Sequence, residues 1–280
     1  DARALFWAGT LLRAHPRAGR WVALGEALLL QEMRRQVLPD GGHWERSPSY
    51  HIQVLLDLLD CALIARASGE ALWERGAPTL ERMFGFLQQI VFPDGELPLL
   101  NDSILGYTPD PTEVLAAGAR LFPETILPPS DISGRLVDRL LGPGEDAPRA
   151  VEKPRRRTAG SALLADSGYA VLRASGPSGL EQVIFDAGDV GPRAVAGHAH
   201  ADTLSFVLWA AGRLRLIDPG VYEYPSGEWR DYFRSTSAHN TVTVDARDST
   251  TFWGSFRVGR PAPVRLTHWD ASRPIVEAEH

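Results

Sequence analysis

The sequence predicts an α+β chain in several domains: stacked helical hairpins first, then an antiparallel β-sandwich. Three observations carry that expectation. Apolar residues recur at three- and four-residue intervals up to about residue 125. From residue 160 the period changes to two, in short β-branched and aromatic runs separated by turn residues. Between them PGEDAPRAVEKPRRRTA is rich in Pro, Gly and charge and lacks a core pattern, which marks a linker. The expected division is a helical part over 1–142, a linker over 143–159 and a β part over 160–280.

Five segments read as helices: 2–15, 19–38, 49–68, 71–91 and 112–122. VLPDGGHWERSPSY (37–50) and VFPDGELPLLNDS (91–103) both leave a long helix through Pro-Asp-Gly, 54 residues apart. Equivalent exits at that spacing point to stacked helical hairpins, as in a bundle or an α/α toroid. Both loops then emerge at one end of the helical layer, where a cleft can be built. In the second part SGYAVLRAS, EQVIFDAG, TLSFVLWAAG, RLRLIDPG, HNTVTVDA and PVRLTHWD read as strands. The chain opens at DARALFWAG, inside an amphipathic helix, and closes at RPIVEAEH, partway through a strand. Both ends are read as truncated, so the helical array is expected to be incomplete, and missing targeting signals carry no information on location.

Composition narrows the partners. With 29 Lys and Arg against 35 Asp and Glu the net charge is −6, which argues against nucleic acid or an anionic membrane surface. No apolar run is long enough to span a bilayer. The single cysteine, Cys61, sits in the apolar run VLLDLLDCALIA, so a disulfide framework and a thiolate-rich zinc site are both excluded. Any metal must be held by His, Asp or Glu.

GHAHADTLSF (197–206) places His198, His200 and Asp202 within five positions. On an extended chain His198 and His200 share a face. His200 precedes one strand, Asp218 ends the next in LIDPG, and His239 begins a further strand in AHNTV. Strand ends of a meander converge, so His200, Asp218 and His239 can form a divalent metal site. Polar residues bonded to backbone at strand ends are the plainer reading.

In GHWERSPSYH, Ser47 and Pro48 signal a helix start. Tyr50 and His51 then lie in the first turn, where exposed N–H groups and the dipole lower a phenol's pKa and favour proton transfer. A packed tyrosine is the alternative. Asn101 and Asp102 follow the second Pro-Asp-Gly turn and would face the same cleft, although Asx residues commonly cap turns. YEYPSGEWRDYFRSTSAHN (222–240) has three tyrosines, a tryptophan and two arginines, suited to sugar stacking and carboxylate binding or to packing.

Taken together, LPDGGHWERSPSYH, LPLLNDS, GHAHADTLSFVLWAAGRLRLIDPGVYEY and WRDYFRSTSAHNTVTVD resemble the heparinase II/III-like family of polysaccharide lyases, in the family's order and spacing. The resemblance implies an incomplete α/α toroid followed by antiparallel β-sheet layers. It implies β-elimination on uronic-acid-containing polysaccharides such as heparan sulfate or alginate, with a base removing the C5 proton. Tyr50, His198 and Tyr224 occupy catalytic positions. His51, Glu45, Arg46, Asn101, Asp102 and Arg234 are substrate-binding candidates, with Arg230 a further partner for sulfate or carboxylate. The ligands of a structural zinc-type ion map onto His200, Asp218 and His239, which leaves Asp202 as a supporting or turn residue. The family's carboxylate-binding Asn lies before residue 1, so residues 1–280 alone are expected to turn over weakly or not at all. The family setting is periplasmic or secreted, a cytoplasmic one staying open. Two other readings remain: a non-catalytic polysaccharide-binding or scaffold protein of a capsule or exopolysaccharide pathway, and a metal-dependent hydrolase. Binding without an ultraviolet-absorbing product would mark the first. Chelation that stops activity without unfolding the β part would mark the second.

Overall fold

The computed structural model describes residues 1–129, 135–142, 160–177, 179–192 and 196–280. The expected linker, 143–159, lies outside the described residues. The helices are α1 (Ala2–Leu11), α2 (Ala18–Gln36), α3 (Pro48–Ser68), α4 (Leu72–Ile90), α5 (Pro111–Leu121) and α6 (Arg135–Leu141). They pack as consecutive hairpins, α1 on α2, α3 on α4 and α5 on α6. Gly25 permits the first contact: a Cβ there would lie 2.6 Å from the Phe6 backbone nitrogen. α3 is apolar on most sides, burying Ile52, Leu55, Leu59 and Cys61, as expected of a helix covered by neighbours on several faces. Among the described residues no helix is long and apolar enough to cross a membrane.

The strands form one antiparallel meander, β1 (Ala162–Leu164), β2 (Tyr169–Gly176), β3 (Gly179–Asp186), β4 (Phe206–Ala210) and β5 (Arg213–Leu216), paired in sequence order. Two hairpins follow, β6 (Phe252–Gly254) with β7 (Arg257–Val258) and β8 (Arg265–Asp270) with β9 (Ile275–Glu279). Between β5 and β6 lie a short helix, α7 (Glu228–Arg234), and a 3-10 turn, Thr236–Ala238. β4 alternates half-buried with buried side chains, and its inward residues Val207 and Trp209 join Val171 and Ile184 against the helices in a single apolar core.

HNTVTVDA is the exception to the strand reading. Its alternation is present, yet Val242 and Val244 are exposed, and only an isolated bridge, Val244 to Arg247, forms there. Asn240 instead donates its amide to the carbonyls of Phe206 and Ile217 at 2.9 and 2.7 Å. The segment thus braces the ends of β4 and β5 rather than extending the sheet. His239 consequently does not begin a strand; it follows the 3-10 turn.

The two Pro-Asp-Gly turns are equivalent in three dimensions. In the first, Leu38 N donates to Gly42 O and Gly41 N to Leu38 O; in the second, Phe92 N donates to Glu96 O and Gly95 N to Phe92 O. Gly41 and Gly95 have φ of 91° and 94°, a region open to glycine at little cost. Each aspartate then reaches across to the sheet. Asp40 accepts the Ser167 amide at 2.6 Å and the Ser167 hydroxyl at 2.8 Å, and Asp94 accepts the Trp209 indole at 2.9 Å. The end of the helical layer inferred from the repeat is therefore the end on which the sheet docks.

Replacing Asp40 by Ala removes a charged acceptor from two donors of buried Ser167. The expected loss is about 2–3 kcal/mol, read as a lower urea midpoint with an unchanged slope. A midpoint equal to the parent's would show that the clamp contributes nothing.

Candidate active site and buried His–Asp cluster

Three loops meet where the helices dock on the sheet, and each holds a non-glycine residue in the left-handed region. These are Arg46 at φ 57°, Asn101 at φ 53° and Leu204 at φ 61°. Asn tolerates this conformation, while Arg and Leu are strained by about 1–3 kcal/mol each. Strain of that kind persists only where surrounding contacts over-determine it. Asn101 shows how: its amide donates to Arg46 O at 3.1 Å, and its Oδ1 accepts the His200 amide at 3.1 Å.

Asp102, the next residue, is fully buried and is the hub of the site. Its Oδ2 accepts His198 Nδ1 at 3.0 Å and Arg230 Nη2 at 2.9 Å. Its Oδ1 accepts His200 Nε2 at 2.8 Å and also Arg230 Nη1. Burial alone would push this carboxyl up. The hydrogen bonds from His198, His200 and Arg230 outweigh burial and hold it well below the ordinary carboxylate range.

His198 carries the network to the surface, with its side chain 23% exposed. Its Nε2 lies 3.6 Å from Glu45 Oε2, and its ring packs on Tyr50 with centroids 4.2 Å apart. The Tyr50 and Tyr224 hydroxyls share a hydrogen bond of 2.8 Å, one from each half of the chain. Phe256 stacks on Tyr224 and meets His198 edge-on, while Tyr107 flanks Tyr50. Sequence reading passed over Phe256 and Tyr107, since nothing near either marks a site. Phe256 is held out by the β6–β7 turn, whose Ser255 carbonyl accepts Arg230 at 2.9 Å and Arg234 at 2.7 Å.

Tyr50 does lie in the first turn of α3, but the expected lowering of its phenol does not follow. Ser47 caps no backbone amide; its hydroxyl pairs with Ser103 at 3.0 Å. Burial pushes the Tyr50 phenol up, and the Tyr224 hydrogen bond only partly offsets this. Tyr224 is raised by burial and by Tyr50 itself. Glu45 is raised chiefly by burial as well.

Several substrate-binding candidates turn inward. His51 is 1% exposed, accepting the His43 amide at Nδ1 (3.3 Å) and donating from Nε2 to Met83 O (3.0 Å). It belongs to the helical core. Asn101 and Asp102 are buried in the hub just described. Arg234 is 2% exposed, lies over the Phe252 ring and donates to the carbonyls of Ala199, Gly254 and Ser255. Burial lowers its pKa to about 10. Arg230 is fully buried against Asp102. Arg46 ties its guanidinium to the carbonyls of Asp166 and Asp189. Of the substrate candidates Glu45 stands beside His198, and the buried Arg230 guanidinium lies 5.5 Å over the Tyr224 ring. Guanidinium and imidazole groups invite a ligand reading from sequence, but carbonyls and carboxylates of the chain itself occupy most of their donors here.

The expected metal ligands are close together, with one change of membership. Ligand atoms of Asp202, Asp218 and His239 lie within 4.8 Å of one another, all buried. His239 Nδ1 and Asp218 Oδ2 are 2.8 Å apart. Asp202 thus joins the group instead of only supporting it, whereas His200 spends Nε2 on Asp102. The His200 ring still lies 5.2 Å from the His239 ring. His200 Nδ1, Asp202 Oδ2 and His239 Nε2 are buried and lack a hydrogen-bond partner among the described residues. Orphaned donors and acceptors clustered this way are costly unless a cation or water satisfies them. Burial raises the Asp202 carboxyl, while Asp218 raises the His239 imidazole against burial.

The chain belongs to the heparinase II/III-like family: residues 1–126 match the family's "Heparinase II/III N-terminus" and residues 156–280 its "Heparinase II/III-like, C-terminal" region. It is 25% identical over 256 residues to a "Heparin-sulfate lyase" of Bacteroides stercoris, covering 89% of this chain and 35% of that protein. Against the "Heparin-sulfate lyase" of Pedobacter heparinus it is 26% identical over 257 residues, covering 88% of this chain and 35% of the relative. Among solved structures it superposes on "Heparinase III-BT4657 gene product" with a TM-score of 0.71 and 25% identity, covering 96% of this chain and 38% of that one. The chain therefore spans about a third of the length of the curated relatives it matches.

The buried histidines make stability depend on pH. His51 is lowered to about 4 by burial, and His43 to about 3 by burial and the nearby His51 and His198. Both folded values lie below the ordinary 6.5, so the unfolded chain takes up protons first as pH falls. Their contribution is complete above about pH 6.5 and is lost toward pH 4, at up to ~2.7 kcal/mol per pH unit while both differ. Urea midpoints measured from pH 7 to pH 4 are expected to fall accordingly, and less steeply in His51→Gln.

Proposed function

We propose that this chain is part of a polysaccharide lyase that cleaves uronic-acid-containing polysaccharide, of heparan-sulfate type by its relatives' names, through β-elimination. The Tyr50–Tyr224 hydroxyl pair beside His198 carries this reading. In it the hairpins belong to an α/α toroid and the sheets to a β-sandwich. The toroid contributes Tyr50, and the sandwich contributes His198 and Tyr224.

The reaction removes the C5 proton, breaks the C4–O4 bond with its electron pair leaving on oxygen, and returns a proton to that oxygen. The new C4=C5 bond is conjugated with the carboxylate and absorbs in the ultraviolet. Tyr50 is the proton carrier: as phenolate it takes the C5 proton, and as phenol it protonates the leaving oxygen. Tyr224 stabilises the phenolate by donating to it. Burial keeps both phenols protonated at neutral pH in the free site, so the acid role needs no change. The base role requires substrate or a nearby cationic group to offset burial. His198 presents Nε2 beside Glu45 and Tyr50, where it can bind the reacting sugar or help move the proton.

His200, Asp218 and His239, with Asp202 added by geometry, fit a divalent ion of zinc type. Bound there, the ion would neutralise buried carboxylates and tie the HxHxD loop to the segment before β6. The group is buried, which suits a structural role better than hydrolysis.

Full-length protein incubated with heparan sulfate, hyaluronan, alginate and bacterial capsules should generate ultraviolet-absorbing product from at least one. Tyr50→Phe should cut that rate by about 100-fold or more with the fold retained. Binding by the parent protein with no absorbing product would instead favour the scaffold reading. Elemental analysis should find about one divalent ion per chain, and chelation should lower Tm, with zinc restoring it. Metal-free protein of unchanged Tm would remove the ion from the account.

A further inference from the structure

Asp102 is fully buried, yet it binds the partly exposed imidazole of His198 and that of His200, which faces the buried cluster. We infer that Asp102 is a positioning residue that fixes hydrogen on opposite ring nitrogens of His198 and His200. His198 is held with hydrogen on Nδ1 and with Nε2 toward Glu45 and Tyr50. His200 is held as Nε2–H with Nδ1 bare toward Asp202, Asp218 and His239. Its part in turnover rests on the lyase reading above; its part in fixing the tautomers does not.

Geometry carries the inference. Arg230 engages both oxygens of Asp102 in a fork, an arrangement that strongly favours the carboxylate over the neutral acid. A carboxylate only accepts, so each imidazole nitrogen beside it must be the one bearing hydrogen. That nitrogen is Nδ1 in His198 and Nε2 in His200. The backbone locks the arrangement: Asp102 N donates to His198 O at 3.2 Å, and His200 N donates to Asn101 Oδ1 at 3.1 Å. His200 Nδ1 is left buried and unpartnered, as a ligating nitrogen would be when a carboxylate holds the other ring nitrogen. One side chain from the helical half thus sets the chemistry of both histidines in the sheet half.

The test uses full-length holoprotein with 15N-labelled histidine, signals being assigned with His198→Gln and His200→Gln. Two-bond 15N–1H correlations at neutral pH should show a protonated Nδ1 for His198 and a protonated Nε2 for His200. Finding either ring in the other tautomer overturns the assignment, whether or not any substrate is turned over. Asp102→Asn should lose the fixed pattern at His198 and lower kcat by about 100-fold or more with KM little changed. Asp102→Glu keeps the charge for Arg230 but moves the oxygens, and should lower kcat in the same direction even if the Asn variant does not fold. Unchanged kcat in a folded variant would refute the positioning role. The lyase reading would then stand or fall separately on Tyr50→Phe.

Discussion

A single buried carboxylate constrains the centre of this molecule. Asp102 leaves the helical layer just after the second Pro-Asp-Gly turn and enters the sheet half, where two imidazoles and a guanidinium converge on its two oxygens. A charge taken out of water is tolerable only when each lone pair is met, and breaking such a pair leaves an uncompensated buried ion at a cost of about 3–5 kcal/mol. The loop therefore has little freedom. Asn101 must adopt a left-handed backbone, the HxHxD loop must approach within hydrogen-bonding distance, and α7 must turn Arg230 inward.

The same constraint explains why the visible surface of the site is small. Arg230 and Arg234 use their guanidinium groups on Asp102 and on backbone carbonyls of the β6–β7 turn and the HxHxD loop. By doing so they hold Phe256 against Tyr224 and His198. What remains partly exposed is Tyr50, Tyr224, His198 and Glu45, with Tyr107 and Phe256 as aromatic walls. The Asp40 and Asp94 clamps keep the two halves in register, so hydroxyls 174 residues apart in sequence meet at 2.8 Å.

Periodicity was a sound guide to the long elements and a poor one at the site. The helices before residue 125 fall close to the expected spans, except that α1 stops at Leu11. The Pro-Asp-Gly repeat identified the docking end because a turn that needs a positive-φ glycine leaves a recognisable mark. HNTVTVDA misled because alternation states only that a strand could form, and among the described residues only the isolated Val244–Arg247 bridge pairs there. Tyr50 was placed on the correct turn, but its phenol rises because burial outweighs a helix end that it does not cap. His51 and Arg234 resembled ligand groups for the same reason: residue type reports what a side chain can bind, not what surrounds it.

Family membership, the α-then-β order, a lone core cysteine and the recurrence of the turns were determined by sequence alone, since each depends on local pattern or residue type. Tertiary structure decided which polar groups remain available. Only in three dimensions does Asp102 become the shared acceptor of His198 and His200, Asp202 join Asp218 and His239, and Arg230 turn inward. Those outcomes depend on burial and on contacts across 21 to 128 residues of chain. The energy of a buried charge is set by its neighbours in space, and no local pattern encodes them.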